Sequence, residues 1–139
     1  MKKPWLTFLF VAALSVCARH GGAQLIIANS SVKSADVSKG DLKDVFTGAA
    51  SSLKDGSQVT PVLQKPGAAS EEFLAAYIGK ADAAFRATWR SLVFSGQGSM
   101  PKTVDSDAAM VAFVGATPGT IGYISKAAAH EGVKVLAVK

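Results

Sequence analysis

Four short apolar runs, each bounded by turn-forming residues, predict buried β-strands. They are Leu25–Ala28, Val59–Leu63, Ile121–Ile124 and Val133–Val138. Proline cannot donate a ladder hydrogen bond, so Pro61 predicts an edge or irregular position for the second strand.

The stretches between these runs carry apolar residues at helical spacing, often after a serine that can cap a helix. Ser38, Ser70 and Ser106 are the expected caps, and Gly79 separates the second helix from a longer one over 81–94. A short helix is expected at Ala127–His130. The predicted order, β-α-β-α-α-α-β-α-β, indicates the α/β class, with a mixed sheet flanked by helices in three layers.

The N-terminus has the pattern of a secretory signal peptide. Lys2 and Lys3 precede the apolar run Trp5–Ala18, and small residues at 21–23 allow cleavage after Ala23. About 14 apolar residues fall short of the roughly 20 that span a bilayer. We therefore expect residues 1–23 to be a leader, residues 24–139 to form one domain, and the mature protein to be periplasmic.

Two other ways of processing the N-terminus are open. Val16-Cys17-Ala18 is a second candidate cleavage site, and Leu14–Cys17 is close to a lipoprotein box, although Val16 is large for that motif. Cleavage after Ala23 would leave no cysteine for a disulfide. It would also leave 12 basic and 10 acidic residues, a net charge of +2. This charge is too small to favour a nucleic-acid partner.

No catalytic, metal or cofactor site is predicted. His20 lies in the expected leader, and His130 has no second histidine in the mature chain with which to share a metal ion. The aspartates are scattered over caps and turns without the spacing of a metal loop. We therefore expect the protein not to be an enzyme.

The segment Pro118–Tyr123, PGTIGY, is the most specific motif of the chain. Pro118 ends a helix, and the two glycines permit backbone conformations that a Cβ would block. The motif resembles the PGAIGY signature of phosphate-binding proteins of the periplasmic type 2 class. Further landmarks resemble the second lobe of that family in the same order: Leu25–Asn29, Leu42–Gly48, Gly67–Phe73 and Trp89–Gly96.

The aromatic residues among these landmarks are expected to pack in the core rather than to contact a ligand. They are Phe46, Phe73, Trp89 and Phe94, together with Phe113.

The chain departs from the family in two respects. It has the length of one lobe, whereas the family holds its ligand between two. The family's anion-binding loop carries an arginine and an aspartate, which the stretch Leu63–Ser70 lacks. The resemblance therefore implies only a weak oxyanion site, made of Lys65, Gly67, Ala68, Ala69 and Ser70 at a helix start. Alternatively, Ser70 is an ordinary helix cap and Lys65 a solvated loop residue.

The resemblance implies a substrate-binding-like role with phosphate or another oxyanion, next to the membrane components of an ABC transporter. The alternative is an interaction module that has lost its ligand. In that case a second copy or another protein would face the lobe across the former cleft.

Overall fold

The computed structural model describes residues 24–139. The expected leader, its cleavage sites and Cys17 lie outside these residues. Among the described residues the strands are β1 Gln24–Ala28, β2 Asp36–Val37, β3 Thr60–Gln64, β4 Lys102–Val104, β5 Thr120–Ser125 and β6 Lys134–Val138. The helices are α1 Lys39–Phe46, α2 Ala68–Phe73, α3 Asp82–Phe94 and α4 Asp107–Ala116, and a π-helical turn, Leu74–Ile78, continues α2.

The strands form one mixed sheet in the order β2-β6-β1-β5-β3-β4. Strand β1 runs antiparallel to both of its neighbours, and the other pairings in the sheet are parallel. The carboxyl ends of β2, β3, β4, β5 and β6 therefore lie at the same edge, which we call the carboxyl edge. The predicted α/β class with a mixed sheet is confirmed.

Helices cover both faces of the sheet, which gives three layers. On one face, α1, α2, the π-helical turn and α3 bury a core that includes Phe46, Phe73 and Tyr123. On the other face, Met110 and Val114 of α4 pack on Ile27, Val62 and Ile124.

The differences from the predicted elements have local causes. Strands β2 and β4 are too short to show an alternating pattern, since each contains one buried residue. The expected helix at Ala127–His130 was wrong, because four residues are too few to nucleate a stable helix. This stretch instead forms a turn and then irregular backbone. Strand β3 lies inside the sheet, but Pro61 pairs with β5 at a point that β4 does not reach.

The aromatic residues expected in the core divide into two groups. Phe46, Phe73 and Trp89 are buried, Phe113 is half-buried, and Phe94 is 96% exposed. The prediction for Phe94 was wrong because its position on α3 is about half a turn away from Phe85, on the side opposite the core.

The corner after α1 depends on a glycine. Gly48 has a φ of +81°, and a Cβ there would overlap the Leu92 side chain and lie 3.1 Å from the Trp89 ring. The Trp89 indole N–H also donates to the Phe46 carbonyl at 2.8 Å. These contacts join α1 to α3.

We predict that Gly48→Ala lowers the free energy of unfolding by about 2–4 kcal/mol, because backbone strain and overpacking both act at this position. Gly56→Ala is the matched control, since Gly56 also has positive φ (+86°) but has no atom within 4 Å of the added Cβ. It should lose about 1–2 kcal/mol. Urea unfolding measures both variants, and equal losses would contradict the packing role of Gly48.

Candidate functional site

Three helices begin at the carboxyl edge, each after a parallel strand. Helix α1 follows β2, α2 follows β3 and α4 follows β4. In open α/β sheets, the crevice beyond the carboxyl ends of the strands is the usual place for a ligand. This edge is therefore the candidate functional site.

The three helix starts differ in how they are capped. The Ser38 hydroxyl accepts from the Asp41 N–H in α1, and the Ser106 hydroxyl accepts from the Ala109 N–H in α4, both at 3.1 Å. Helix α2 begins after Gly67, which has no side chain, and it has no side-chain cap.

The structure corrects the predicted cap at Ser70. The first backbone bond of α2 runs from the Glu71 N–H to the Gly67 carbonyl at 2.9 Å, which places Ser70 in the third helical position. Ala68, Ala69 and Ser70 precede this bond, so their N–H groups have no acceptor within the helix. Gly67 and Ala68 are exposed to solvent, as is Lys65 in the loop before them.

Ser70 itself faces inward and is 5% exposed. Its side chain hydrogen-bonds to the Tyr123 side chain. The Tyr123 hydroxyl also accepts from the Gln64 N–H at 3.0 Å. The structure thus brings Ser70 to Tyr123, whereas Lys65, Gly67 and Ala68 lie on the solvent side.

A second polar group joins the ends of β3 and β5 to the start of α4. The Gln64 side-chain amide donates to Asp107 Oδ1 at 2.7 Å and to the Tyr123 carbonyl at 3.0 Å. Asp107 Oδ1 also accepts from the Ser125 N–H at 3.3 Å. These bonds hold the ends of β3 and β5 against the start of α4.

Tyr123 is the most enclosed titratable residue of the site. Its ring stacks on Phe73 with a centroid distance of 3.9 Å and an interplanar angle of 5°. Burial raises the pKa of Tyr123 above its ordinary value of 10.0. Hydrogen bonds from Ser70 and Gln64 and the positive charge of Arg86 act in the opposite direction.

The charged side chains around the start of α2 include more acidic than basic groups. Arg86 pairs with Asp82 at 3.0 Å, and both side chains are 29% exposed. Glu72 accepts from the Gln24 side-chain amide at 2.9 Å, at the start of β1. Exposed Lys65 and Glu71 bring opposite charges near the helix start.

Sequence reasoning missed Gln64, Asp107, Tyr123 and Arg86 as residues of this edge. Gln64 carried the clearest signal, since a polar residue directly after a buried apolar run often marks the carboxyl end of a strand. Tyr123 lay inside the recognised PGTIGY motif, but its hydroxyl contacts residues 53 to 59 positions away in sequence.

Residues 24–139 lack the features of two other classes of site. They contain no group of three or more histidine, cysteine, aspartate or glutamate side chains arranged to hold a metal ion. In the same part of the chain, no helix has the length and hydropathy required to cross a membrane.

Comparison with solved structures identifies the fold. A phosphate ABC transporter substrate-binding protein from Clostridium perfringens, solved with bound phosphate, matches with a TM-score of 0.64 and 16% identity over 83% of this chain and 44% of that one. A phosphate transport receptor of the ABC type from Vibrio cholerae matches at 0.55 and 14%, covering 83% and 45%. PstS from Borrelia burgdorferi matches at 0.57 and 14%, covering 84% and 47%.

The chain therefore has the fold of one lobe of these binding proteins and spans less than half of their length. This confirms the resemblance and the single-lobe architecture inferred from the sequence. No protein-family model matches the sequence, and no curated protein sequence matches it either.

We predict that Tyr123→Phe lowers the free energy of unfolding by about 1–3 kcal/mol at neutral pH, because the buried Gln64 N–H and Ser70 hydroxyl lose their partner. Ser95→Ala is the control, since the hydroxyl of Ser95 is exposed. Removal of an exposed hydroxyl should change stability by less than about 0.5 kcal/mol. A loss no larger in Tyr123→Phe than in this control would show that the buried bonds contribute nothing.

Tyr123 should also make stability fall in alkaline solution. Its pKa is raised in the folded state, so the unfolded chain deprotonates first. The contribution of Tyr123 is complete below pH 10 and is lost as the pH rises above that value. Burial raises the pKa of Tyr77 as well, so Tyr123→Phe should weaken this dependence without abolishing it. Urea unfolding across this pH range tests the sign, and an identical pH slope in wild type and variant would contradict it.

Proposed function

We propose that this protein is a periplasmic, single-lobe, substrate-binding-like protein that takes phosphate or a similar oxyanion at the start of α2. The observation that carries the proposal is the helix start at Gly67, the only one of the three that follow strands at this edge of the described domain to lack a serine cap. It lies on a fold whose structural neighbours include a protein solved with bound phosphate.

Backbone groups would provide most of the binding. The N–H groups of Ala68, Ala69 and Ser70 can donate to one oxyanion, and the helix dipole favours negative charge at this position. Lys65 would add a positive charge from the exposed loop. The Ser70 hydroxyl would contribute indirectly, because its bond to Tyr123 holds the first turn of α2 on the sheet.

The same geometry limits the affinity. Glu71 follows the three donors directly and repels an anion, and a single lobe leaves one side of the ligand in water. We therefore expect a dissociation constant on the order of millimolar.

We also propose a cellular location and partners for the protein. Residues 1–23 would be removed as a signal peptide, leaving the lobe Gln24–Lys139 in the periplasm. Its partners would be the membrane components of a phosphate transporter, or a second lobe that closes over the site. The protein would carry out no catalysis.

The alternative function is an interaction module without a ligand. One observation favours it: several large apolar side chains are exposed on the described domain, where another protein could cover them. Of the four large apolar side chains that are exposed in the described domain, Val135 lies in β6. The other three, Val93, Phe94 and Met100, lie at the end of α3 and in the loop that leads to β4. An apolar interface would form there, at the edge where β4 begins, and not at the start of α2.

Thermal unfolding in phosphate, sulfate and chloride at equal ionic strength tests the oxyanion site. At ten times its dissociation constant, a bound anion should add about 1.4 kcal/mol of stability. Ala68→Pro removes one of the three donors at the first helical position, where proline is tolerated. Lys65→Ala removes the added charge. Both variants should lose the stabilisation by phosphate.

Lys54→Ala is the matched control, since Lys54 is an exposed lysine in a turn at the other edge of the sheet. It should keep the full effect. Equal unfolding midpoints in the three salts would contradict oxyanion binding. A mass that rises with protein concentration, together with equal midpoints, would favour the interaction module.

A further inference from the structure

An open groove lies between the first part of α2 and the start of α3. It encloses about 510 Å³ and is lined by Glu71, Leu74, Ala75, Gly79, Lys80, Ala81 and Asp82. The π-helical turn forms its floor and ends at Gly79, whose φ is +75° and whose N–H bonds to the Leu74 carbonyl at 2.6 Å. π-helical turns are rare and often occur at functional sites.

Of the three charged residues that line this groove, Asp82 alone forms an ion pair within the described domain. Asp82 is neutralised by Arg86, with a separation of 3.0 Å. Among residues 24–139, the ammonium group of Lys80 donates to a neutral hydroxyl, Thr88 Oγ1, at 3.3 Å and forms no ion pair. Within residues 24–139, Glu71 makes no side-chain hydrogen bond and no ion pair.

Glu71 and Lys80 therefore remain as one negative and one positive charge on the same groove. No ion pair within 4.0 Å joins them in the described domain. The lining of the groove also includes two apolar side chains, Leu74 and Ala75. A ligand that complements Glu71, Lys80 and the apolar lining carries an ammonium group, a carboxylate and an apolar side chain.

We propose that this groove binds a dipeptide-sized zwitterion, with its ammonium group at Glu71, its carboxylate at Lys80 and its apolar side chain on Leu74 and Ala75. The groove shares no residue with the Lys65–Ser70 segment, although Glu71 directly follows that segment and its charge acts on both sites. Either one can fail without the other.

The test is an NMR titration of the purified ¹⁵N-labelled protein with three matched probes. Glycyl-leucine carries both charges, N-acetyl-glycyl-leucine carries only the carboxylate, and glycyl-leucine amide carries only the ammonium group. Glycyl-leucine should shift the amide signals of residues 71–82 in a saturable manner. Each blocked probe should bind about fivefold more weakly, since a partly exposed ion pair contributes up to about 1 kcal/mol.

Two charge variants assign the contacts. Glu71→Gln should bind glycyl-leucine no better than wild type binds the acetylated probe, and Lys80→Met no better than wild type binds the amide. Glu131→Gln removes an exposed carboxylate outside the groove and should bind like wild type. Equal affinities for the three probes, or no saturable shift at residues 71–82, would overturn the proposal. Unchanged amide spectra outside the groove show that each variant is folded.

Discussion

The contacts of Tyr123 connect most of the elements on one face of the domain. Its ring stacks on Phe73 of α2 and lies 6.0 Å from the ring of Phe46 in α1. Its hydroxyl accepts from the Gln64 N–H at the end of β3 and bonds to Ser70 in the first turn of α2. One buried side chain thus fixes where α2 begins relative to the parallel strands. The proposed oxyanion site depends on this constraint, because its donors are backbone groups whose positions follow the helix.

Some polar groups at the carboxyl edge are hydrogen-bonded within the fold, and others are available to bind a ligand. Gln64 and Asp107 use their side chains on each other and on β5, so they stabilise the edge and leave little capacity for binding. The Ser38 and Ser106 hydroxyls each accept from one backbone N–H in the first turns of α1 and α4. The start of α2 keeps its donors because glycine stands at the cap position. The proposed oxyanion site consists of one helix start and one lysine. Because it offers so few contacts, we expect its affinity to be low.

Much of the fold could be predicted from periodicity and turn residues. Three predicted elements are confirmed, because each is long enough to show its pattern. They are the strand ending at Ala28, the helix containing Leu42, Val45 and Phe46, and the strand within PGTIGY. Local patterns failed where tertiary contacts decide the outcome. Ser70 has the chemistry of a cap, but Tyr123 draws it inward and the helix starts one turn earlier, at Gly67. The role of Tyr123 itself could not be predicted, since its partners are distant in sequence.

The most direct test of this account follows the backbone N–H signals of Gly67, Ala68, Ala69 and Ser70 by NMR as phosphate is added. Hydrogen bonds to an oxyanion should move the signals of Ala68, Ala69 and Ser70 downfield along one saturable curve, and signals near exposed lysines elsewhere should move little. Small linear shifts spread over the lysine-bearing surface, with none concentrated at the start of α2, would contradict the claim that this helix start is an oxyanion site.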